Sequence, residues 1–480
     1  MTSTTFNQPA VRLDNHATHP LDPWPFQVIE PATGAVLAEL VGGGRADASR
    51  AVDHAATALR EWSLTSRAEH ATALHAIATA LREEPAAGEL AVLVARETGK
   101  RLVEATSEIV LSAAYFDWFA DVISTRADEL WQIVPGLSHQ VSRYPLGVVA
   151  VLTPWNFPVS IPARKIAPAL AAGCTLIFKP SEVAPLSSLR LAELIENRVP
   201  PGVLNTVIGD PRAITNTLIA DPRVRGLSFT GSTAVGKAIA GPAACELKRC
   251  VLELGGTAPF IVLDDADVEL AVRTLVTAKY RNNGQSCIAA NNAWVPKCHL
   301  DSLVDAFMAE SESLILGDPL DSGTTLGPLG MPSDPDRIAL LIGEAERQDA
   351  KVIRTKLVSP DSRHFCPPAA CIAPPRNARI ATDEIFGPGV AIFPYDDLDE
   401  VITTTRNSRH GLAGYVVGHD VARAVAIANS LDVGIVGVNS ATPNTPQVPF
   451  GGLKDSGIGW EGGQAGLDVF LTYRTVAYSL

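Results

Sequence analysis

The sequence lacks three features that would assign a protein to a broad class: an excess of positive charge, long apolar runs and patterned cysteines. Its formal net charge is −13 over 480 residues, which argues against nucleic acid as the main partner because phosphate binding needs a basic surface. No uninterrupted apolar run approaches the ~20 residues that cross a bilayer, and the polar first residues do not resemble a secretory signal. We therefore expect a soluble, cytoplasmic protein with no membrane partner.

The cysteines follow no pattern typical of a disulfide framework or a zinc site. There are seven, an odd number, with no C-x-x-C pair and no regular spacing. The sequence therefore predicts neither disulfides nor a metal site, and most of these thiols should be small buried hydrophobes. The seven are Cys174, Cys245, Cys250, Cys287, Cys298, Cys366 and Cys371.

Cys287 differs from the other six in its neighbours. The polar residues 283–286 predict a tight turn before it, and the apolar residues 288–290 lead the chain back towards a core. A thiol at such a junction is partly exposed and lies near backbone N–H groups, which favour its thiolate. Cys287 is therefore the candidate nucleophile, although a single cysteine is more often structural than catalytic.

Two further residues complete a set that can process a carbonyl group. Glu253, within residues 252–256, is the candidate base, and Asn156, within residues 153–158, is the candidate oxyanion donor. A thiol, a carboxylate and a side-chain amide can attack a carbonyl carbon, hold the resulting oxyanion and activate a water. Each lies in a Gly- or Pro-rich loop beside a strand-like run, which strengthens the prediction.

A strict alternation of strand-like and helix-like segments begins at residue 147. Apolar runs predict strands at 147–152, 175–180, 205–209, 226–230 and 249–253, with helical patterns between them. The alternation predicts an α/β fold with a doubly wound, Rossmann-type parallel sheet, which binds ligands at the carboxyl ends of its strands. A second alternation from 259 to about 440 predicts a second α/β domain, with the boundary near Gly255-Gly256.

The turn after the fourth of these strands is a candidate phosphate site. Gly231 and Ser232 open a predicted helix, and the N–H groups of a helix start can bind a pyrophosphate. Gly231 and Gly236 do not form the G-x-G-x-x-G fingerprint, and on its own such a turn is usually nothing more than a turn. This turn therefore predicts phosphate binding only in combination with the other motifs.

The end of the second strand carries Lys179, Ser181 and Glu182, where an adenosine ribose would rest in this topology. The Glu182 carboxylate can accept both ribose hydroxyls and would repel a 2′-phosphate, so it favours NAD and leaves NADP as the second possibility. Lys179 partly opposes that preference. The alternative is a solvated Lys–Glu pair in a loop.

Six motifs, in order, resemble those of the aldehyde dehydrogenase superfamily, over about residues 25–478. They are residues 154–158 (oxyanion loop), 229–232 (cofactor loop), 252–256 (general base), 284–287 (nucleophile), 384–388 (nicotinamide ribose) and 449–452 with 454–457 (C-terminal signature). The resemblance implies that Cys287 adds to an aldehyde, that Asn156 holds the oxyanion, and that Glu253 activates the water that hydrolyses a thioester. It also implies cofactor contacts from Trp155, Leu254, Glu384 and Phe386.

The expected organisation follows from these patterns and from the resemblance. The segments are a loose N-terminal lead-in (1–24), an NAD(P)-binding domain (25–126 and 146–255), a catalytic domain (256–440), a substrate-mouth and C-terminal signature segment (441–464), and a small β arm (127–145 and 465–480). The arm would extend the sheet of another subunit. We therefore expect a homodimer or a homotetramer.

Within the superfamily, the sequence is similar to succinate-semialdehyde dehydrogenases. Those enzymes bind the far carboxylate of the substrate with two arginines and a hydroxyl, and the matching positions here are Arg164, Arg281 and Thr445. A planar guanidinium suits a carboxylate. The alternatives are that both arginines form interdomain ion pairs, that the substrate is an aromatic or aliphatic aldehyde without a carboxylate, or, more remotely, that the chain is a non-catalytic structural oligomer.

Four positions depart from the family pattern. Asn292 stands where relatives usually have arginine, Thr257 where lysine or asparagine is common, and Trp460 where an arginine is common. Ala289 replaces a second cysteine that some semialdehyde enzymes use as a redox switch, so we expect no such switch. The consequences of the other three departures are left open by the sequence.

Overall fold

The computed structural model describes residues 8–479. Within that range the helices are α1 (Arg45–Trp62), α2 (Arg67–Ala80), α3 (Ala86–Thr98), α4 (Leu102–Thr125), α5 (Ser160–Ala171), α6 (Pro185–Glu196), α7 (Pro211–Ala220), α8 (Thr233–Cys245), α9 (Val268–Tyr280), α10 (Leu300–Glu312), α11 (Asp334–Arg347), α12 (Arg379–Thr382), α13 (Leu398–Arg406), α14 (Val421–Ala428) and α15 (Gly463–Asp468), with 3-10 turns at Arg281–Gly284 and Lys297–His299. Among these described residues, no helix combines the length and the apolar character that crossing a membrane requires.

The larger sheet has a parallel centre with antiparallel edges. Its spatial order is β22 (Gly457–Ile458), β12 (Arg249–Glu253), β11 (Val224–Thr230), β8 (Val148–Leu152), β9 (Thr175–Lys179), β10 (Leu204–Val207), β2 (Val11–Leu13) and β3 (His16–Ala17). The five strands from β12 to β10 run parallel, whereas β22, β2 and β3 run antiparallel to their neighbours.

The central strands read as continuous apolar runs because both of their faces are buried. Val149 and Val151 pack into a core shared with α2, α4 and α5, whereas Val148 and Ala150 pack into the opposite core with α1 and α7. Successive side chains of a strand point to opposite faces, so an apolar residue is needed at every position. The predicted doubly wound parallel sheet is confirmed.

The second sheet has seven strands. Its order is β15 (Lys351–Arg354), β16 (Ala369–Ile372), β17 (Gly389–Tyr395), β14 (Asn292–Pro296), β13 (Pro259–Val262), β19 (Ala413–Val417) and β20 (Ile435–Val438). All are parallel except the edge strand β15. Phe260 faces a core with α9 and α10, and Ile261 faces one with α11 and α14, which confirms the second α/β unit.

Three small sheets complete the described fold. One is β1 (Gln8–Pro9), β5 (Val36–Gly42) and β4 (Trp24–Ile29), and another pairs β18 (His410–Gly411) with β21 (Leu453–Lys454). The third, β23 (Leu471–Ser479), β7 (Leu137–Pro145) and β6 (Glu129–Val134), joins the two segments expected to form the arm. Residue 480 lies outside the described part, and the role of this sheet between subunits stays a prediction.

The N-terminal segment corrects one expectation. Residues 8–24 are not a loose lead-in, because β2 pairs with β10 and extends the larger sheet. Val11 and Leu13 are 0% and 3% exposed and fill the core beneath α1. The first seven residues of the predicted lead-in lie outside the described part. At the other end of the chain, β22 returns to β12, so the C-terminal signature segment joins the larger sheet beside Glu253.

Candidate active site

The candidate residues gather at one edge of the larger sheet. The parallel strand β8 leads into Asn156, β9 ends at Lys179, β11 leads into Gly231, and β12 ends at Glu253. Because the carboxyl ends of parallel strands meet at the same edge, the candidate oxyanion donor, base and phosphate loop lie together. The loop that carries Cys287 approaches this edge from the second sheet.

The loop before Cys287 has an unusual backbone that its sequence explains. Asn282 and Asn283 have φ of 53° and 57°, in the left-handed region that asparagine tolerates better than most residues. Gly284 follows with φ of 78°, and a Cβ there would lie 2.3 Å from the carbonyl oxygen of Gly387. The polar turn predicted from residues 283–286 is therefore present, and glycine is required within it.

Asn156 connects the nucleophile loop to the larger sheet. It is 4% exposed, and its Nδ2 donates a hydrogen bond of 3.0 Å to the carbonyl oxygen of Gln285. Nδ2 of Asn282 donates in turn to the carbonyl oxygens of Asn156, at 3.0 Å, and Gln285, at 2.9 Å. A side-chain amide carries two N–H groups, so Asn156 can hold this loop with one and still offer the other to an oxyanion.

Lys100 and Glu108 support the same loop, and sequence analysis missed both. Lys100 Nζ donates to the carbonyl oxygen of Asn156 at 2.8 Å and forms a buried ion pair with Glu108. Glu108 Oε1 accepts hydrogen bonds from the backbone N–H groups of Val159, at 2.9 Å, and Ser160, at 3.0 Å. In the sequence these are two charges eight residues apart in a helical stretch, a pattern that does not distinguish them from surface charges.

The thiol of Cys287 is less acidic than expected. The side chain is half-buried, and burial raises its pKa to about 12, with the Glu384 and Glu253 carboxylates adding to the effect and Arg164 opposing it. The expectation that the loop favours the thiolate is therefore wrong. Nearby N–H groups and Arg164 are outweighed by desolvation and by two carboxylates, so the thiol needs a base.

Glu253 has the properties of such a base. It is 2% exposed, and neither carboxylate oxygen has a hydrogen-bond partner among the described residues. Burial and the neighbouring Glu461 raise its pKa well above the usual range, against the opposing charges of Arg164 and Lys165. A carboxylate with a raised pKa is a stronger proton acceptor than an exposed one.

Cys287 lies where two cavities meet. The cofactor-side cavity, of about 200 Å³, has walls from Trp155, Asn156, Gly231, Ser232, Glu253, Leu254, Glu384 and Phe386, among others. The substrate-side cavity is smaller and has walls from Leu111, Tyr115, Phe157, Arg164, Arg281, Ser286, Asn444 and Phe450, among others. A vestibule of about 600 Å³ lies beyond it and shares Phe157, Arg281 and Asn444 with it. The thiol is thus reached from both sides.

The cofactor-side cavity offers groups that fit a nicotinamide dinucleotide. Ser232 caps α8, a helix of 13 residues, by accepting from the backbone N–H of Val235 at 3.4 Å, and a helix start favours phosphate. Glu384 Oε1 is buried with no hydrogen-bond partner in the described range, as suits an acceptor for ribose hydroxyls. Trp155 and Phe386 meet edge to face at 5.8 Å and form an apolar wall.

The residues predicted for the adenosine ribose lie one strand away from this cavity, beyond β9. Lys179 Nζ is 3.3 Å from Glu182 Oε2, and the Glu182 side chain is 34% exposed. Ser181 Oγ accepts from the backbone N–H of Val183 at 3.2 Å. The structure does not bring these three residues into the wall around Cys287. They lie at the same sheet edge, as the far end of a dinucleotide would require.

The two arginines of the predicted carboxylate clamp differ in their partners. Arg164 is buried, its Nε donates to Glu461 Oε2 at 2.6 Å, and its guanidinium lies 4.1 Å from the centre of the Phe450 ring. Lys165 pairs with the same Glu461 carboxylate. The ion-pair alternative therefore describes Arg164, although its side chain still lines the substrate-side cavity.

Arg281 has no ion-pair partner within residues 8–479. Its guanidinium lies 5.7 Å from the centre of the Phe157 ring, and the side chain lines both the vestibule and the inner cavity. Thr445 is exposed and lines the vestibule alone. The structure therefore brings Arg281 and Thr445 together at the entrance and places Arg164 deeper.

Other substrate-side residues were not found from the sequence. Tyr115 from α4 is 1% exposed, and its hydroxyl has no hydrogen-bond partner in the described part of the chain. Asn444 lines both substrate-side spaces. Tyr115 reads as one core position of an apolar helix, and Asn444 as part of a Pro-rich loop, so neither pattern marks a site. No group of His, Cys, Asp or Glu among the described residues could hold a metal ion.

Known proteins are similar to this chain over nearly its whole length. The aldehyde dehydrogenase family profile matches residues 21–476. Glutarate-semialdehyde dehydrogenase of Pseudomonas aeruginosa is 37% identical, over 94% of this chain and 93% of that protein. A succinate-semialdehyde dehydrogenase of Escherichia coli, whose name specifies NADP(+), is 36% identical, over 95% of this chain and 94% of that protein. The crystal structure of succinate-semialdehyde dehydrogenase from Burkholderia pseudomallei has a TM-score of 0.94 at 34% identity, over 100% of this chain and 99% of that one.

The chain belongs to the aldehyde dehydrogenase family. It is an enzyme that oxidises aldehydes with NAD(P). The names of several similar proteins specify semialdehydes, which directs attention to the substrate-side cavity.

Proposed function

We propose that this enzyme oxidises succinate semialdehyde to succinate. Arg281 is the observation that carries the proposal, because it is a cation without an ion-pair partner in residues 8–479 and lines the path from the vestibule to Cys287. An unpaired guanidinium at a cavity wall favours a carboxylate through charged hydrogen bonds. Thr445 lines the same vestibule and offers a hydroxyl to it.

The proposed chemistry assigns one task to each residue around the thiol. Glu253 takes the Cys287 proton, which its raised pKa permits, and the thiolate adds to the aldehyde carbon. The free N–H of Asn156 and the backbone N–H of Cys287 hold the oxyanion. NAD(P)+ bound on the cofactor side supplies the acceptor for the hydride. After it has released the Cys287 proton to solvent, Glu253 takes a proton from the water that attacks the thioester, and cleavage of the C–S bond releases the acid and returns the Cys287 thiolate.

The cofactor-side roles in this proposal follow from the walls of that cavity. Gly231 and Ser232 would hold a phosphate at the start of α8, and Glu384 would accept hydrogen bonds from the hydroxyls of a nicotinamide ribose. Trp155, Leu254 and Phe386 would supply apolar contact to the cofactor. All of these residues line the same cavity as Cys287.

Glutarate semialdehyde is the second candidate substrate, because two similar Pseudomonas proteins carry it in their names. The two semialdehydes differ by one methylene, and such a difference is worth about 1–3 kcal/mol in an apolar pocket. The test is kcat/KM for succinate semialdehyde, glutarate semialdehyde and butyraldehyde. We expect succinate semialdehyde to be used best. A preference for glutarate semialdehyde selects the second candidate, and a preference for butyraldehyde rejects both.

We also propose that NAD is preferred to NADP. Glu182 follows β9 with a partly exposed carboxylate, and like charges ~4 Å apart cost on the order of 4 kcal/mol at an effective dielectric of ~20. Two observations oppose this preference. Lys179 pairs with Glu182, which weakens the repulsion of a 2′-phosphate. The name of the similar Escherichia coli protein specifies NADP(+). A higher kcat/KM with NADP than with NAD would contradict the proposed preference. The variant Glu182→Gln should show a weaker preference for NAD than the wild type.

The arm sheet supports a further part of the proposal, that the enzyme is a homodimer or homotetramer. Leu130, Trp131 and Ile133 on the edge strand β6 are 67%, 53% and 77% exposed. An apolar, unpaired sheet edge is suited to extending a sheet in a second copy. Analytical ultracentrifugation should show a multimer, and a monomer at micromolar concentration would contradict this part.

A further inference from the structure

The vestibule and the substrate-side cavity meet at a passage that an aldehyde from the vestibule enters on its way to Cys287. We call this passage the neck, and the residues that line both spaces define it: Leu111, Phe157, Ser160, Arg281 and Asn444. Leu111 and Phe157 are apolar, whereas the other three carry polar groups. The neck therefore offers an aldehyde both apolar contact and hydrogen bonds.

Ser160 is buried in the neck, yet its hydroxyl has no hydrogen-bond partner within residues 8–479. The residue is 7% exposed, and its backbone N–H donates to Glu108 Oε1 at 3.0 Å. The side-chain oxygen is not sealed inside the fold, and the two spaces that the residue lines are those that meet at the neck. Because buried polar groups are normally paired, this hydroxyl favours a ligand that supplies the missing partner.

Arg281 is the charged residue of the neck, and the acids of the vestibule do not neutralise it. Glu104 forms an ion pair with Arg101 at 3.2 Å, and Glu108 forms one with Lys100. Arg281 forms no ion pair with any residue that the structure describes. One uncompensated guanidinium therefore attracts an anion into the neck.

Ser160 and Arg281 both lie beside Phe157. The Arg281 guanidinium is 5.7 Å from the centre of the Phe157 ring. The backbone N–H of Ile161 donates to the carbonyl oxygen of Phe157 at 3.2 Å, so the chain makes a helical turn between these two residues. Residues three apart on such a turn are neighbours, which brings Ser160 next to Phe157. The hydroxyl and the guanidinium therefore border the same part of the neck.

The other polar residues near Arg281 are more open to water. Thr445 is exposed and lines the vestibule alone, and Asn444 is half-buried. A ligand that binds their side chains only replaces water as the hydrogen-bond partner. Ser160 is buried, and a hydrogen bond in a buried site is stronger than one in water. Ser160 is therefore better suited than either to recognise a substrate together with Arg281.

We propose that Ser160 determines substrate specificity by donating a hydrogen bond to the substrate carboxylate that Arg281 binds. This inference rests on the proposed function, because it needs a substrate with a carboxylate. The carboxylate occupies the neck, and the rest of the substrate extends into the cavity that Cys287 lines. A neutral aldehyde displaces water from the neck and leaves the Ser160 hydroxyl unpaired, so Ser160 also disfavours aldehydes without an acid.

The test is the selectivity of the full-length enzyme: kcat/KM for the semialdehyde that it uses best, succinate or glutarate semialdehyde, divided by kcat/KM for butyraldehyde. Ser160→Ala should lower this ratio about tenfold, because a hydrogen bond to a charged group is lost. The loss should appear mainly in KM for the semialdehyde, since the carboxylate is bound in the ground state and the transition state alike.

The matched control is Ser107→Ala. Ser107 also lines the vestibule, but its hydroxyl already donates to the carbonyl oxygen of Val103 at 2.9 Å. The selectivity of this variant should equal that of the wild type. An equal fall in kcat for both aldehydes in Ser160→Ala would overturn the proposal, because a disturbed oxyanion loop, rather than a lost substrate contact, has that effect.

Arg281→Ala separates a failure of this inference from a failure of the proposed function. Ser160→Ala should cost less selectivity in the Arg281→Ala background than in the wild type, because both residues bind one carboxylate. A wild type that prefers butyraldehyde rejects the proposed function and this inference together. If the wild type prefers a semialdehyde and Arg281→Ala reduces that preference, but Ser160→Ala behaves like Ser107→Ala, the role of Ser160 alone is overturned.

Discussion

The two sides of Cys287 are built in different ways. The cofactor side is shaped by backbone turns at strand ends, where a Cβ on Gly231 would lie 2.5 Å from the Phe229 ring and one on Gly255 would lie 2.5 Å from Glu384 Oε2. The substrate side is shaped by side chains from separate segments, such as α4, α5 and the loop before Cys287. Turns that require glycine produce motifs that are recognisable in the sequence. Substrate choice depends instead on a few side chains, and the role of each is set by the residues with which it pairs in the structure.

Removing the thiol at the junction should have the largest effect. Cys287→Ala should lower turnover by roughly 10³-fold or more, because no other described residue of the two cavities offers a nucleophilic thiol. Binding of the reduced cofactor, measured by its fluorescence, should be unchanged, since the cofactor side is built independently. A variant that retains more than a few per cent of wild-type turnover would show that Cys287 is not the nucleophile.

Removing the base should slow both the formation of the thioester and its hydrolysis. In Glu253→Gln both the burst of reduced cofactor and the steady state should slow on the order of 100-fold, as expected for a lost general base. Burial raises the pKa of Cys287 and continues to do so without Glu253, so the burst should become faster as the pH rises from 8 to 10 and more thiol ionises. Stopped-flow measurements give both rates, and a normal burst at pH 7 would restrict Glu253 to the hydrolysis step.

The two arginines allow a matched comparison of stability. Arg164→Met leaves the Glu461 carboxylate buried with Lys165 as its remaining ion-pair partner, and breaking a buried pair typically costs about 3–5 kcal/mol. We expect a loss near the lower limit, because Lys165 stays in place. Arg281→Met should change the free energy of unfolding little, since Arg281 has no ion pair in the described residues. Denaturant unfolding measures the free energy of unfolding of both variants. Equal losses of stability would contradict the view that Arg164 is held in a buried ion pair and Arg281 is not.

A smaller effect should appear in the pH dependence of cofactor binding. Burial raises the pKa of Glu384 to about 7, against the Gly256 N–H and the charges of Arg337 and Lys279. The ionised carboxylate is the better acceptor for ribose hydroxyls, so NAD affinity should fall as pH drops from 8 to 6, by roughly tenfold. Fluorescence titration measures the affinity. Glu384→Gln should flatten this dependence, and an unchanged slope in the variant would exclude Glu384 as its source.

The fold was largely predictable because its strands carry their own signal. Residues 148–152 are apolar at every position, as a strand buried on both faces must be. The N-terminal strands were not predictable, since β2 has three residues and β3 two. Strands of that length are too short for a periodic pattern, and the burial of β2 depends on its pairing with β10, which is far away in the sequence.

The candidate site was predictable where the residue type alone supplies the chemistry. It was unpredictable where the properties of a residue depend on its surroundings in the fold. Cys287, Glu253 and Asn156 lie in motifs, and the structure brings them to one cavity. The protonated state of the thiol depends on burial and on carboxylates distant in sequence, so the local turn gave the wrong expectation. The partner of Arg164, Glu461, lies 297 residues away, and the local sequence around neither residue indicates the ion pair.

The most direct test of the account is the substrate selectivity of Arg281→Ala. Wild type should use succinate semialdehyde far better than butyraldehyde, a chain of the same length without the acid. Losing a charged hydrogen-bond partner costs about 1.5–3 kcal/mol, so the variant should lose roughly ten- to a hundredfold in kcat/KM for the semialdehyde and almost nothing for butyraldehyde. An equal loss for both aldehydes, or a wild type that prefers butyraldehyde, would contradict the proposal that Arg281 selects the substrate.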